Sequence, residues 1–167
     1  TAEKNFGKSI GNLFPSLSNL KLPHLKKINE INFNEKGASN TIDLVFSALP
    51  SGQLQEIISS IPQIIIDLSA DFRLKNLDVF EEVYGFQHKC PSKQTDAVYG
   101  LTELFREKIS SSRLIANPGC YPTSILLPLI PLCKEGIIDL KDIIIDSKSG
   151  VTGAGRSLKQ SSLFAEV

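Results

Sequence analysis

Several residue types on which common functions depend are scarce in this chain, and each scarcity narrows what it does. Two histidines among 167 residues are too few for an obvious metal site. The three cysteines are odd in number, form no CxxC and follow no regular spacing. That pattern suits a reducing compartment and predicts a cytoplasmic protein. Neither charge sign is in excess: eighteen basic and eighteen acidic residues give a formal net charge of zero. Without a basic patch, a nucleic-acid partner is not expected. No run approaches the ~20 apolar residues of a membrane span. The apolar stretch at 125–132 is short and contains Pro128 and Pro131, so no membrane partner is expected. No apolar h-region follows Thr1-Ala2-Glu3-Lys4, so the first residues do not read as a signal peptide. Position 1 is not Met, which leads us to expect a native start upstream. Internal repeats and low-complexity tracts are also absent.

What is present is enough apolar residue, 41%, for a domain with a real core. Strand-like and helical runs alternate. Residues 42–47 and 63–68 read as buried strands, the second rich in isoleucine. Short strands are expected at 113–116 and 142–146, and Ala97-Val98-Tyr99-Gly100 follows the polar stretch before the third helix. Helices are expected at 52–60, 76–83, 102–110 and after Cys120, with a polar loop at 86–96. Near-continuous apolar strands separated by helices indicate an α/β fold whose parallel sheet is covered on both faces. Ligands of such sheets bind outside the carboxyl ends of the strands. Three of the more distinctive segments fall there: Leu49-Pro50-Ser51-Gly52, Ser69-Ala70-Asp71-Phe72-Arg73 and Asn117-Pro118-Gly119-Cys120.

The third segment carries the sharpest chemistry. Asn117 is placed to cap a helix, and Pro118 suits a first helical position. Cys120 then falls in the first turn, where free N–H groups and the positive end of the helix dipole favour an anion. The thiolate is the nucleophilic form of cysteine. Gly119 allows close approach to the backbone. By contrast, Cys133 in an apolar helix reads as a small core residue, and Cys90 in a polar loop reads as non-catalytic. Pro128 and Pro131 predict that the helix after Cys120 bends or ends near Leu127.

A last segment, Ser149-Gly150-Val151-Thr152-Gly153-Ala154-Gly155-Arg156, has three glycines and one arginine. It reads either as an anion-binding nest or as a plain flexible turn. It matches neither the dinucleotide fingerprint nor the phosphate-binding P-loop. Arg156 is either a fork for a carboxylate or phosphate or a solvated loop residue.

Together these segments resemble the N-acetyl-γ-glutamyl-phosphate reductase family of arginine biosynthesis. The resemblance rests on Ala48-Leu49-Pro50-Ser51-Gly52, Asp67-Leu68-Ser69-Ala70-Asp71-Phe72-Arg73, Ala97-Val98-Tyr99-Gly100-Leu101-Thr102-Glu103-Leu104, Asn117 to Thr123, and Ser149 to Arg156. They occur in the family's order and span nearly the whole chain. Sister enzymes acting on aspartate semialdehyde also place a cysteine after an Asn, but Pro-Gly-Cys-Tyr-Pro is closer to the acetylglutamyl type. The resemblance implies an incomplete Rossmann-like, doubly wound parallel sheet over residues 1–120. Residues 121–167 would begin an α+β substrate and dimerisation domain. It implies NADP as cofactor, a small acyl phosphate as substrate and a homo-oligomer at full length.

Site roles follow from the same resemblance. Cys120 would be the nucleophile. Ser47, Leu49, Pro50, Lys4 and Gly150 would contact the cofactor, with Lys4 reading its ribose phosphate. Thr1 to Lys4 resembles the end of the family's second strand. Asn117, Arg73, Ser149 and Arg156 would contact the substrate. Arg73 has an alternative, a structural pairing with Asp71 or Asp78. The family's glycine-rich pyrophosphate turn and its catalytic histidine match nothing here, and neither His24 nor His88 corresponds to that histidine. The 167 residues alone are therefore expected to be inactive.

An acyl phosphate calls for a nucleophile. Cys120 would attack the acyl carbon and expel phosphate, and a nicotinamide would reduce the resulting thioester. Backbone N–H groups at the helix start would stabilise the oxyanion. Two competing readings remain: a non-catalytic remnant, and a cysteine hydrolase, which would need a histidine within reach of Cys120.

Overall fold

The computed structural model describes residues 2–33, 42–150 and 153. The chain divides into two units, residues 1–43 with 60–62, and residues 44–59 with 63–167.

The first unit is built from short helical turns. Helix α1 spans Ala2–Asn5 and α2 spans Ile10–Leu13, followed by 3-10 turns at Pro15–Leu17 and Ile28–Glu30. Ser9 caps α2, its Oγ accepting from the N–H of Asn12 at 3.3 Å. An isolated antiparallel bridge joins Ser9 to His24. The Lys27 ammonium stands 5.1 Å from the centre of the Phe6 ring, within cation–π range. The resemblance to a strand end at Thr1 to Lys4 does not hold over the described residues there. Ala, Glu and Lys are good helix formers, and no neighbouring strand pairs with them among the described residues.

The second unit carries the sheet. Strand β1 is Leu44–Ser47, β2 Ile64–Asp67, β3 Val98–Tyr99 and β4 Leu114–Ala116. They form one sheet in the order β1-β2-β4-β3, every pair parallel. Branched side chains at Ile64, Ile65 and Ile66 favour the extended backbone. The register sets Ser47, Asp67, Ala116 and Tyr99 abreast at the carboxyl edge. Beyond that edge the ladder continues, Leu68 N–H donating to Ser47 and Asn117 N–H to Asp67, each at 2.8 Å.

Helices α3 Gln53–Ile57, α4 Leu77–Tyr84, α5 Pro91–Asp96, α6 Thr102–Ser110 and α7 Cys120–Lys134 complete the α/β arrangement. The core includes Leu54, Ile58, Ile65, Phe72, Phe80, Leu101 and Leu114. Phe80 is wholly enclosed, with the rings of Tyr84, Phe86 and His88 centred 4.9–5.2 Å away. Asn76 caps α4 through Oδ1, which accepts from the N–H groups of Asp78 and Val79.

Five expectations need correction. Coverage of both faces fails at the β1 end only: on the face that carries Phe46, Ile66 is half-buried and Ile115 buried. Val45, Ile65 and Leu114 face inward, while Leu44, Ile64 and Phe46 are exposed, Phe46 at 66%. As an edge strand, β1 therefore is not buried. Part of the polar loop at 86–96 is helix α5, because Pro91 suits a first helical turn. Helix α7 continues through Pro128 and Pro131 to Lys134, and none of its residues is fully buried. Each proline removes one intrahelical bond, but the remaining turns hold. Residues 142–146 form no strand, and Ile144 is 95% exposed. β-Branched propensity makes a strand only where a neighbour supplies the ladder, and none does among the described residues.

Candidate active site

Loops from three adjacent strands meet at the carboxyl edge, following β1, β2 and β4. After β1, the chain turns at Pro50-Ser51-Gly52, with Gln53 N–H donating to the Pro50 carbonyl at 3.2 Å. Gly52 adopts φ +84°, a left-handed conformation that favours glycine. Its N–H donates to both carboxylate oxygens of Asp71, at 2.8 and 2.9 Å. Within the loop after β2, Ser69 Oγ donates to Asp67 Oδ2 at 2.7 Å and accepts from the Asp71 N–H at 3.1 Å. Asp67 and Asp71 are fully buried. Burial pushes the Asp71 carboxyl above its usual range, and the nearby Asp67 charge adds to this, while the Gly52 hydrogen bonds oppose it.

Beside them lies the segment after β4. Asn117 is not the cap of α7. The helix begins at Cys120 with Gly119 as its cap, and the Asn117 side chain instead donates to the Pro118 carbonyl at 3.2 Å. Pro118 accordingly precedes the helix. A cap must sit immediately outside the first helical residue, and here the extended chain runs on to Gly119 before turning. Cys120 is thus the first residue of α7, and it is exposed. Pro122 has no N–H, and Thr123 N–H is already bonded to the Gly119 carbonyl at 3.0 Å. The N–H groups of Cys120 and Tyr121 have no intrahelical acceptor and are the donors this helix start offers an anion.

Arg73 connects the two loops. Its Nε donates to the Asn117 carbonyl at 2.8 Å and its Nη2 to the Leu68 carbonyl at 2.9 Å. Among the described residues it forms no ion pair with Asp71 or Asp78. Burial raises the Tyr99 phenol above its ordinary range, and the neighbouring Arg73 charge partly offsets this.

Ser47, at the end of β1, is 4% exposed, and its Oγ has no hydrogen-bond partner among the described residues. Leu49 is half-buried and Pro50 exposed beside it. Ser149 and Gly150 are exposed. The hydroxyl of Ser147, two residues before Ser149, meets that of Ser124 at 3.2 Å, one turn beyond Cys120 on α7. Lys4 is exposed in the first unit. Arg156 lies outside the described residues, as do Val151, Thr152, Ala154 and Gly155.

His88 is a core residue. Its Nδ1 accepts from Cys90 N–H at 3.1 Å, which leaves Nε2 to donate to the Asp71 carbonyl at 3.0 Å. Its ring stands edge-on to Phe72 and Phe80. Burial lowers its basicity below the ordinary histidine range. With both nitrogens engaged, it has no free site from which to act as a base. Cys133 is only half-buried, as is Cys90, and all three thiols are free. The sequence offered Asp71 only as a pairing partner for Arg73 and did not connect it to Gly52. Nothing in a spacing of nineteen residues shows that a carboxylate and an amide will meet. The only signal was their position after neighbouring strands.

Comparison with known proteins agrees with this architecture. Residues 1–112 match the family model described as "Semialdehyde dehydrogenase, NAD binding domain". Residues 120–167 match "Semialdehyde dehydrogenase, dimerisation domain". A protein of Oryza sativa named "Probable N-acetyl-gamma-glutamyl-phosphate reductase, chloroplastic" is 48% identical over 100% of this chain and 39% of its own length. An Arabidopsis thaliana protein of the same name is 49% identical over 100% of this chain and 41% of its own. An "N-acetyl-gamma-glutamyl-phosphate reductase" of Cereibacter sphaeroides is 46% identical over 100% and 48%, respectively. The chain spans less than half the length of these curated relatives. Among the described residues no helix is long and apolar enough to cross a membrane. With a parallel Rossmann-like sheet and a match over residues 1–112, the chain belongs to the semialdehyde dehydrogenase family.

Proposed function

We propose that this chain is part of an NADP-dependent N-acetyl-γ-glutamyl-phosphate reductase. Such an enzyme converts the acyl phosphate to N-acetyl-glutamate semialdehyde and phosphate in arginine biosynthesis. The observation that carries the reading is Cys120, exposed as the first residue of α7, four residues past the end of β4. The names of the relatives support the substrate.

The residues present fit the nicotinamide end of a cofactor. Ser47 Oγ is an enclosed hydroxyl at the carboxyl edge without a partner among the described residues, and Leu49 and Pro50 follow it. These three would hold the nicotinamide ribose. Gly150 is a further candidate contact. When bound, a nicotinamide supplies the hydride that reduces a thioester to an aldehyde and returns the thiolate.

The chain's own part begins with the Cys120 thiolate attacking the acyl carbon. The carbon–oxygen bond to phosphate breaks, phosphate leaves with the bonding pair, and a thioester remains on Sγ. The N–H groups of Cys120 and Tyr121, free of intrahelical acceptors, would stabilise the developing oxyanion. Asn117 and Ser149, with Arg156, are the proposed substrate contacts. We place the boundary between the cofactor domain, 1–120, and the second domain, 121–167, at this cysteine. The dimerisation-domain match supports a homo-oligomer, and the free thiols support a reducing compartment such as the cytoplasm.

The test is single-turnover acylation of this chain by N-acetyl-γ-glutamyl phosphate. One phosphate released per chain, with a hydroxylamine-labile acyl mass on the Cys120 peptide, is the expected outcome. Equal acylation of Cys90 and Cys133, or hydrolysis without an adduct, would refute the reading.

A further inference from the structure

We infer that Asp71 is a positioning residue for the turn that follows β1, and through it for the nicotinamide end of the cofactor. The inference rests on the proposed place of Ser47, Leu49 and Pro50 against the nicotinamide ribose. Asp71 is fully buried, and both of its carboxylate oxygens accept from one amide, that of Gly52, at 2.8 and 2.9 Å. Among the described residues no lysine or arginine forms an ion pair with it. A buried carboxylate without a cation depends on its hydrogen-bond donors, so this contact is stronger than an ordinary tie between loops.

The two ends of the contact are not held alike. On the Asp71 side, Ser69 Oγ accepts from the Asp71 N–H at 3.1 Å and donates to Asp67 at 2.7 Å. The Asp71 carbonyl accepts from His88 Nε2 at 3.0 Å, and the Phe72 carbonyl from Gln94 Nε2 at 3.0 Å. The loop after β2 is therefore fixed at several points. On the Gly52 side, the bond from Gln53 N–H to the Pro50 carbonyl lies within the turn itself. The next tie is further along α3, where Gln55 Oε1 accepts from the Lys89 N–H at 2.6 Å. Asp71 is thus the anchor, and the turn is what it holds. The ladder fixes Ser47, whose carbonyl accepts from Leu68 N–H at 2.8 Å, and Asp71 fixes Gly52. Leu49 and Pro50 lie between these two points, so their place follows from both.

The test compares the chain with Asp71→Ala, Asp71→Asn and Leu101→Ala. Leu101 is buried just past β3, and its truncation weakens the core at the sheet edge opposite β1. Three quantities are read: hydrogen exchange of the Gly52 amide, NADPH affinity from the fluorescence of the reduced nicotinamide, and alkylation of Cys120 by iodoacetamide. Asp71→Ala is expected to speed Gly52 exchange and to weaken NADPH about tenfold each, with Cys120 alkylation unchanged. Asp71→Asn keeps the shape and one acceptor oxygen and should fall between, and it carries the test if the alanine variant does not fold. Leu101→Ala should leave NADPH affinity as it is. Unchanged NADPH affinity in the Asp71 variants would overturn the inference. So would an equal loss in Leu101→Ala, or a parallel loss of Cys120 reactivity in the Asp71 variants, either of which marks a global role. Should the unaltered chain bind no NADPH, the cofactor reading fails. Gly52 exchange still decides whether Asp71 holds the turn.

Discussion

Replacing Gly52 isolates a single physical cost. At φ +84° the residue is left-handed, and a Cβ there would meet only Phe86, at 3.6 and 3.9 Å. Those are ordinary contacts, so Gly52→Ala adds no clash. The amide still donates to Asp71, because the hydrogen bond involves only the backbone on this side. What remains is the penalty of holding an L-residue with positive φ, about 1–2 kcal/mol. For a chain of this size that lowers the melting temperature by about 2–8 °C. Gly52→Asn should cost less, because asparagine visits this region readily, and Gly52→Val more, because β-branched residues are outliers there. Thermal unfolding followed by circular dichroism ranks the three. An alanine variant as stable as the parent, or asparagine as damaging as valine, would show that backbone conformation is not what requires glycine here.

Cys120→Ser should abolish the acyl adduct and phosphate release while leaving the stability within about 0.5 kcal/mol of the parent, since the side chain is exposed. Retained phosphate release would exclude the thioester route. Phe80→Ala should destabilise by about 3–5 kcal/mol, more than any Gly52 variant, because the ring is wholly enclosed by three others. A melting shift smaller than that of Gly52→Ala would contradict the core assignment. Burial lowers the pKa of His88 in the fold below its unfolded value of 6.5. The unfolded chain then binds the extra proton, so this contribution is complete above pH 6.5 and is lost as pH falls toward the folded value. Asp71, raised above 3.8, works in the opposite sense and gains stability as pH falls through its own window. His88→Gln should flatten the melting-temperature slope just below pH 6.5, and an unchanged slope would remove His88 from its cause. Mixed with acyl phosphate and NADPH, the chain by itself should give no steady turnover. Its buried histidine has both nitrogens committed, and its sequence holds no glycine-rich dinucleotide turn. Sustained loss of nicotinamide absorbance would refute that expectation.

Local pattern in the sequence was sufficient for the parallel strands at 44–47, 64–67 and 114–116, since short apolar runs bounded by turn residues and separated by helical ones favour a parallel sheet, though not for the exposure of β1 at its edge. The placement of Cys120 at a strand-to-helix junction was equally legible, because Pro-Gly-Cys followed by an apolar run is a local signal. Contacts between distant segments were not legible. Arg73 bonding to carbonyls instead of a carboxylate, and Asp71 receiving the Gly52 amide, depend on which strands lie side by side, and the order β1-β2-β4-β3 is set by packing of the whole unit. The same holds for what failed. The isoleucines at 143–145 have every propensity for a strand, but a strand is a pairing between segments, and no described segment pairs with them. Propensity belongs to a residue and can be read one position at a time. Hydrogen-bond partners belong to the fold and exist only once the chain has brought distant backbone groups within reach.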